Sequence, residues 1–225
     1  MIIDCISDLH GHYPKLEGGD ILILAGDLTE SDEYKQYIEF NAWILKQKYE
    51  KKILIAGNHD NWIQNSPMMK DTFCDCEYLC DSGTEFEGLK VWGSPWTKTF
   101  KGMNPKCKAF TVDTEEELEE KWKLIPEDTD ILITHSPPYG ILDRIPMKYD
   151  GSIYHAGSKS LSLKIGKMKN LPKLLVWGHI HEDYGKDLII RNTGCKTVNT
   201  SHKMVNASHV NEHYEPVNKP IRVIL

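Results

Sequence analysis

Five short apolar runs in this chain each end on a side chain that can bind a cation or move a proton. IIDCIS (2–7) leads into Asp8-Leu9-His10, ILILA (21–25) into Gly26-Asp27, and KILIA (52–56) into Gly57-Asn58-His59-Asp60. DILIT (130–134) leads into His135, and KLLVW (173–177) into Gly178-His179-Ile180-His181. Continuously apolar runs of this length suit strands covered on both faces. Open α/β sheets hold their ligands at the C-terminal ends of such strands. Polar residues scattered without a fold would not keep this phase. The pattern therefore restricts the chain to an α/β architecture whose strands deliver donors to one edge.

Two further strand candidates are LKVWG (89–93) and DLIIR (187–191). Between the strands, 31–48 reads as a helix with Ser31 as its N-cap and Tyr37, Phe40, Ile44 and Leu45 as its apolar stripe. Residues 114–122 open with Thr114 and Glu117, a capping-box spacing, and 159–169 reads as a third helix. With no internal repeat, low-complexity tract or break in composition, residues 1–225 are expected to form one domain.

Asp8, His10, Asp27, Asn58, His135, His179 and His181 together offer carboxylate, imidazole and amide oxygen and no thiolate. Such a set suits borderline or hard divalent ions such as manganese, iron, zinc or magnesium. Seven ligands exceed what one ion with an open position needs, but they suit two ions sharing a bridging carboxylate. The Asp8-x-His10 and His179-x-His181 spacings put both side chains on one face of an extended segment, and Gly26, Gly57 and Gly178 allow tight turns. Two dications about 3.5–4 Å apart lower the pKa of a shared water to near 7, and a bridging hydroxide can then attack phosphorus in line. His59, between a ligand and Asp60, is expected to protonate or hydrogen-bond the leaving oxygen, with Asp60 fixing its tautomer.

The series Asp8-x-His10, Gly26-Asp27, Gly57-Asn58-His59-Asp60, His135, Gly178-His179-x-His181 is similar to the full signature of the calcineurin-like metallophosphoesterases. That resemblance implies a four-layer α/β/β/α sandwich, two mixed sheets face to face and flanked by helices. It implies a first metal held by Asp8, His10, Asp27 and His181, with Asp27 bridging and Asn58, His135 and His179 completing the second. Asn58 and His59 would also touch the substrate phosphate. AGDLTE (25–30), IAGNHD (55–60), GSPWT (93–97), LIPEDTDILITHSPPYG (124–140), GHIHEDYG (178–185) and PVNKP (216–220) resemble the small metallophosphodiesterases related to the foetal-brain metallophosphoesterase-domain proteins. This branch implies phosphodiester hydrolysis, including 2′,3′- or 3′,5′-cyclic nucleotides. Some of its animal members lose one His of GHxH and are weakly active, whereas His179 and His181 are both present here. Phosphoprotein phosphatases follow the second motif with Asp-Arg-Gly, whereas Gly26-Asp27 runs on as Leu28-Thr29-Glu30-Ser31.

Composition narrows the substrates. Only three of the 27 basic residues are arginine, so few bidentate clamps exist for a phosphate dianion. A net charge of −6 provides no field for long nucleic acid. No run approaches the ~20 residues of a membrane span. Met1 leads straight into a strand, with no leader, and six cysteines are too few for a disulfide scaffold, so the expected location is cytoplasmic. The expected partner is a small phosphodiester substrate, and the chain is expected as a monomer or a homodimer. A phosphomonoesterase using the same site and a weakly active scaffold protein are the competing readings.

Trp96, in a loop after Pro95, and Tyr139, in the rigid turn after His135, are candidate walls of the substrate cleft, while Trp92 and Trp177 read as core. His12 reads as a solvated loop residue, and His202, His209 and His213 read as polar residues facing solvent. Cys74-x-Cys76-x3-Cys80 matches no standard zinc spacing and reads as reduced thiols in a loop. Cys195 reads as a small buried residue or a redox-sensitive thiol. Without a leader, the sequons at Asn199 and Asn206 carry no meaning.

Overall fold

In the computed structural model, every residue is described except 67–72, 74, 101, 148 and 193–196; for 187–192 and 197–201 only the backbone is described. Cys74 and Cys195 thus lie outside the described residues. The strands gather into two large sheets. The first contains β1 (Ile2–Ile6), β2 (Gly19–Ala25), β3 (Tyr49–Ile55) and β4 (Glu77–Tyr78), all parallel, with β15 (Ile221–Ile224) antiparallel on the β1 edge. The second has the order β13 (Gly185–Asn192), β14 (Thr197–Asn206), β12 (Leu174–Trp177), β9 (Ile131–Thr134), β6 (Leu89–Ser94), β5 (Ser82–Phe86). Its four inner strands are parallel and its two edge strands antiparallel. Two small ribbons complete the strands: β7 (Thr97–Lys98) with β8 (Thr111–Val112), and β10 (Arg144–Pro146) with β11 (Ile153–His155).

Strand period two sorts the apolar side chains into layers. Ile3, Ile21, Ile23, Ile53 and Ile55 of the first sheet meet Val91, Ile131, Ile133, Leu174 and Val176 of the second in one core between the sheets. Their neighbours Leu22, Leu24 and Leu54 face outward onto Tyr37, Phe40 and Ile44 of α1 (Tyr34–Ile44) and Ile63 of α2 (Asn61–Asn65). On the far side Leu132, Leu175 and Trp177 face Leu118 and Trp122 of α3 (Glu115–Trp122) and Leu161 and Ile165 of α4 (Lys159–Lys167). The α/β/β/α order is therefore written in the alternation, each buried Leu or Ile contributing about 1.5–3 kcal/mol.

All seven expected strands form. Helix α1 is shorter at both ends than the expected 31–48. Asp32 is left-handed (φ 59°), so the helix cannot reach back to Ser31, and Glu33 takes the N-cap position. At the other end the chain turns toward β3 after Ile44, which leaves Leu45 exposed rather than in the stripe. Thr114 does cap α3, accepting the Glu117 N–H. Strand β14, whose mostly polar sequence TVNTSHKMVN is not among the expected strands, pairs with β12, and the chain beyond it supplies part of the site.

Candidate metal centre

Because β1, β2 and β3 run parallel, as do β9 and β12, their C-terminal ends meet at one edge of the sandwich. An isolated bridge between Ser7 and Ser208 ties the two sheets together there. Its hydrogen bonds run from Ser7 N–H to the Ala207 carbonyl and from His209 N–H to the Ser7 carbonyl, both 2.8 Å. Asp8, His10, Asp27 and His179 all adopt left-handed backbone (φ 51°, 42°, 52° and 69°). Non-glycine residues adopt it at roughly 1–2 kcal/mol each, a strain that concentrates at functional sites. Here it folds each loop back so that its side chain points into the cluster.

Three groups of donors converge, each within 4.8 Å: Asp8, His10 and His181; His10, Asp27 and His59; Asp27, His135 and His179. The His181 Nε2 lies 3.3 Å from Asp8 Oδ1 and 3.4 Å from His10 Nε2. Asp27 Oδ2 lies 3.4 Å from His135 Nε2, 3.8 Å from His10 Nε2 and 4.0 Å from His59 Nε2. The Asn58 amide oxygen faces His135 Nε2 at 3.1 Å, and its NH2 donates to the Cys107 carbonyl. His135 Nδ1 contacts the Ala25 carbonyl at 2.9 Å, which suits an Nδ1–H tautomer with Nε2 free to face Asp27. The carboxylates are seated by the protein as well. Asp8 accepts the His179 N–H and the Ser208 hydroxyl, and Asp27 Oδ1 accepts the His59 N–H at 2.8 Å.

The cluster's electrostatics call for positive charge. Burial alone would raise Asp8 and Asp27, yet His181 beside the one and His135 beside the other hold both below the usual carboxylate range. Against the pull of burial, Asp27 raises His135 to about 9 and His59 to about 10. Burial lowers His10 and His179 to about 3, so their rings stay neutral and keep a lone pair. Buried carboxylates drawing protons onto neighbouring imidazoles, with facing ring nitrogens at 3.4 Å, make a donor set that fits divalent cations.

Two glycines make room for the carboxylates. A Cβ on Gly57 would stand 2.2 Å from Asp27 Oδ1, and one on Gly178 2.1 Å from both Asp8 Oδ2 and Ser7 Oγ. Both glycines open tight turns, the Gly57 carbonyl accepting the Asp60 N–H at 3.2 Å and the Gly178 carbonyl the Ile180 N–H at 2.8 Å; neither has positive φ, so what demands glycine there is close approach. Gly178→Ala is expected to displace Asp8, weaken metal binding about 10–100-fold and cost about 1–3 kcal/mol of stability. Gly166→Ala, in α4 with nothing within 4 Å of the added methyl, is expected to stabilise by about 0.5–1 kcal/mol. Calorimetric metal titration and thermal melts of both variants check the pair.

Asp60 takes a different position from the one expected. It does not orient His59; the His59 Nδ1 contacts the Glu30 carbonyl at 2.9 Å, with Cys107 Sγ at 3.4 Å. The fully buried Asp60 instead accepts N–H groups of Leu28, Thr29 and Gly57, stapling the loop after β2 to the loop after β3. Burial and then the Asp27 charge raise its carboxyl to about 7. Trp96 is also placed elsewhere. Its indole N–H donates to Asp81 at 2.7 Å, Lys121 covers its ring at 3.7 Å, and it packs against the core beneath α3. Tyr139 packs on His155 at 5.3 Å, with Lys159 over its ring. Neither aromatic has a described contact with the cluster. Trp92 and Trp177 pack in or against the second sheet's outer core, and His213 is exposed, as expected.

His209, expected to face solvent, is buried and contacts the Asn218 carbonyl through Nδ1 at 2.7 Å. Asn206, formally a sequon, is fully buried, its amide donating to the Leu142 and Ile180 carbonyls. Among the described residues no cysteine belongs to a donor group. Sequence reasoning missed Ser208, Cys107 and Tyr214. They stand on loops far in sequence from the strand-end motifs, and the mostly polar sequence of β14 gives no sign that the chain returns to the site.

A family described as calcineurin-like phosphoesterase matches residues 1–183. The chain is 35% identical to human metallophosphoesterase domain-containing protein 1, over 98% of this chain and 70% of that protein. It is 31% identical to a UPF0046 protein of Caenorhabditis elegans, over 95% of this chain and 78% of that one. Among solved structures, TT1561 of Thermus thermophilus matches with a TM-score of 0.54 at 16% identity, over 91% of this chain and 88% of that chain. That likeness concerns the fold.

Proposed function

Because the chain belongs to the calcineurin-like phosphoesterase family, we propose that within metal-dependent phosphoester hydrolysis it acts on small diesters, with 2′,3′- and 3′,5′-cyclic nucleotides as first candidates. Two divalent ions, manganese first among manganese, iron, zinc and magnesium, fit the donors. Asp8, His10, Asp27 and His181 would hold one, and Asp27, Asn58, His135 and His179 the other. The position of Asp27 Oδ2 between His10 and His135 supports its shared role. When bound, such ions supply an acidic water and an electrophilic clamp for phosphoryl oxygens.

The chain's own residues supply the rest. With Nδ1 engaged by the Glu30 carbonyl, His59 presents Nε2 toward Asp27, where it can carry a proton to the leaving oxygen. The Asn58 amide, anchored on Cys107, keeps its oxygen turned into the cluster. Asp60 holds the two loops that bear these groups at a fixed separation. A core common to both sheets supports residues 1–225 acting as one domain. Among the described residues no helix is long and apolar enough to cross a membrane, and a cytoplasmic location remains part of the proposal.

The observation that carries the diester preference is the engagement of Arg144 and Arg222, the two arginines whose side chains are described. Arg144 is chelated by Asp183 through Nε and Nη2, and Arg222 is bound by Asp4 and Glu17. Among the described residues no guanidinium reaches the cluster, so a phosphate dianion lacks a bidentate partner there, while a diester monoanion needs that partner less. The test compares bis(4-nitrophenyl) phosphate with 4-nitrophenyl phosphate, and then a panel of cyclic nucleotides, with each metal in turn. The expected diester advantage in kcat/KM is at least about tenfold, about 1.4 kcal/mol. Activity is expected to vanish on chelation and return with metal. A monoester preference would convert the reading to a phosphomonoesterase, and bound metal without turnover would make the chain a binding protein.

A further inference from the structure

Tyr214 stands against the cluster without belonging to it. Its ring centroid lies 4.8 Å from that of His10, 5.3 Å from that of His181 and 6.2 Å from that of His59. The first two contacts are edge-to-face, at 74° and 89°. The phenol therefore abuts the Asp8–His10–His181 half of the cluster, on the side of His59, while Phe100 stands by His179 at 6.4 Å. Tyr214 remains 44% exposed, so part of its ring is free for a ligand.

The loop that carries this ring is built rather than loose. Tyr214 has φ 61°, a conformation an aromatic side chain rarely holds without support. The Tyr214 N–H donates to the Asn211 carbonyl at 2.9 Å, and Asn211 Oδ1 accepts the N–H groups of His213 and Glu215. Asn218 closes the base of the loop, donating to the carbonyls of Ser208 and Val210. Ser208 in turn donates to Asp8. The loop is thus anchored on a residue that seats a metal-site carboxylate, and it orders a half-exposed aromatic ring that the hydrolytic machinery above does not use.

We propose that Tyr214 contacts substrate, stacking on a flat aromatic group (a nucleobase or an aryl ring) on the leaving side of the phosphoester. The inference rests on the phosphoesterase reading, which puts His59 beside the leaving oxygen; Tyr214 shares that side. A π-face offers a flat group an offset or edge-on contact that it cannot offer to a compact alkyl group. The chain would then select nucleoside or aryl phosphates over methyl phosphates.

The test is calorimetric binding of inorganic phosphate, methyl phosphate, phenyl phosphate and adenosine 5′-monophosphate to manganese-loaded protein, with metal content measured in parallel. Tyr214→Ala is expected to weaken phenyl phosphate and the nucleotide about tenfold while leaving inorganic phosphate, methyl phosphate and metal content unchanged. Tyr214→Phe is expected to restore aromatic binding and Tyr214→Leu, of similar bulk without a π-face, to fail. Equal weakening of all four ligands, or loss of metal, would make Tyr214 a buttress for His10 and His181 and overturn the inference. So would wild-type protein that binds phenyl and methyl phosphate equally, although the phosphoesterase reading would survive. Wild-type protein that binds no phosphate and hydrolyses no ester would remove both.

Discussion

Asp27→Asn is expected to strip the protein of both ions and to reduce phosphoester turnover by more than about 100-fold, the upper range for losing an outer-shell partner of a metal ligand. The size of the effect follows from position. One oxygen, Oδ2, faces His10, His135 and His59 at 3.4–4.0 Å, so it contributes to both halves of the cluster. The other oxygen accepts the His59 N–H, and asparagine can keep that bond only through its carbonyl. Its NH2 would then point at the ring nitrogens where a cation belongs, replacing an anion with a donor. Metal content after equilibration with excess manganese and gel filtration, with circular dichroism to establish the fold, checks this. Two equivalents of metal in the variant would refute the shared-ligand assignment.

His59→Ala is expected to lower turnover about 10²–10⁴-fold, the range for removing a positioned general acid, with both ions retained. What His59 contributes to the metal cradle is its backbone N–H on Asp27, and alanine keeps that bond. What alanine removes is the imidazole, whose Nδ1 faces the Glu30 carbonyl and whose Nε2 faces the cluster. His59 also lies within a geometric donor group with His10 and Asp27, which sets a sharp alternative. Loss of one metal equivalent in His59→Ala would make the side chain a ligand. A substrate whose leaving group needs no proton, such as a nitrophenyl ester, is expected to suffer less than a cyclic nucleotide.

Each expected donor that converges at the cluster is legible in the sequence because it follows an apolar strand within a few residues. In parallel strands the C-terminal ends share one edge, so phase along the chain translates directly into position in space. The same is true of the layers: the alternation in ILILA and DILIT already separates the side chains that meet between the sheets from those that meet helices. Local hydrogen-bonding patterns are legible where the partner is close in sequence, as with Thr114 and Glu117. They fail where a backbone angle decides the outcome, as Asp32 does for the start of α1.

Partners far apart along the chain are not legible. Glu30 rather than Asp60 orients His59, because the choice depends on how the loops after β2 and β3 cross, not on sequence adjacency. Trp96 and Tyr139 occupy loops next to motifs yet turn to Asp81 and His155. Ser208 and Tyr214 reach the site from a segment whose strand is too polar to announce itself. Periodicity and strand-end chemistry are properties of covalent order, so the sequence alone determined the α/β class and the donors brought to one edge, with the sandwich implied by the family resemblance. Which carbonyl fixes an imidazole and which ring leans over the ligands are contacts between distant stretches of chain, and only the packing of the folded loops and sheets brought those atoms together.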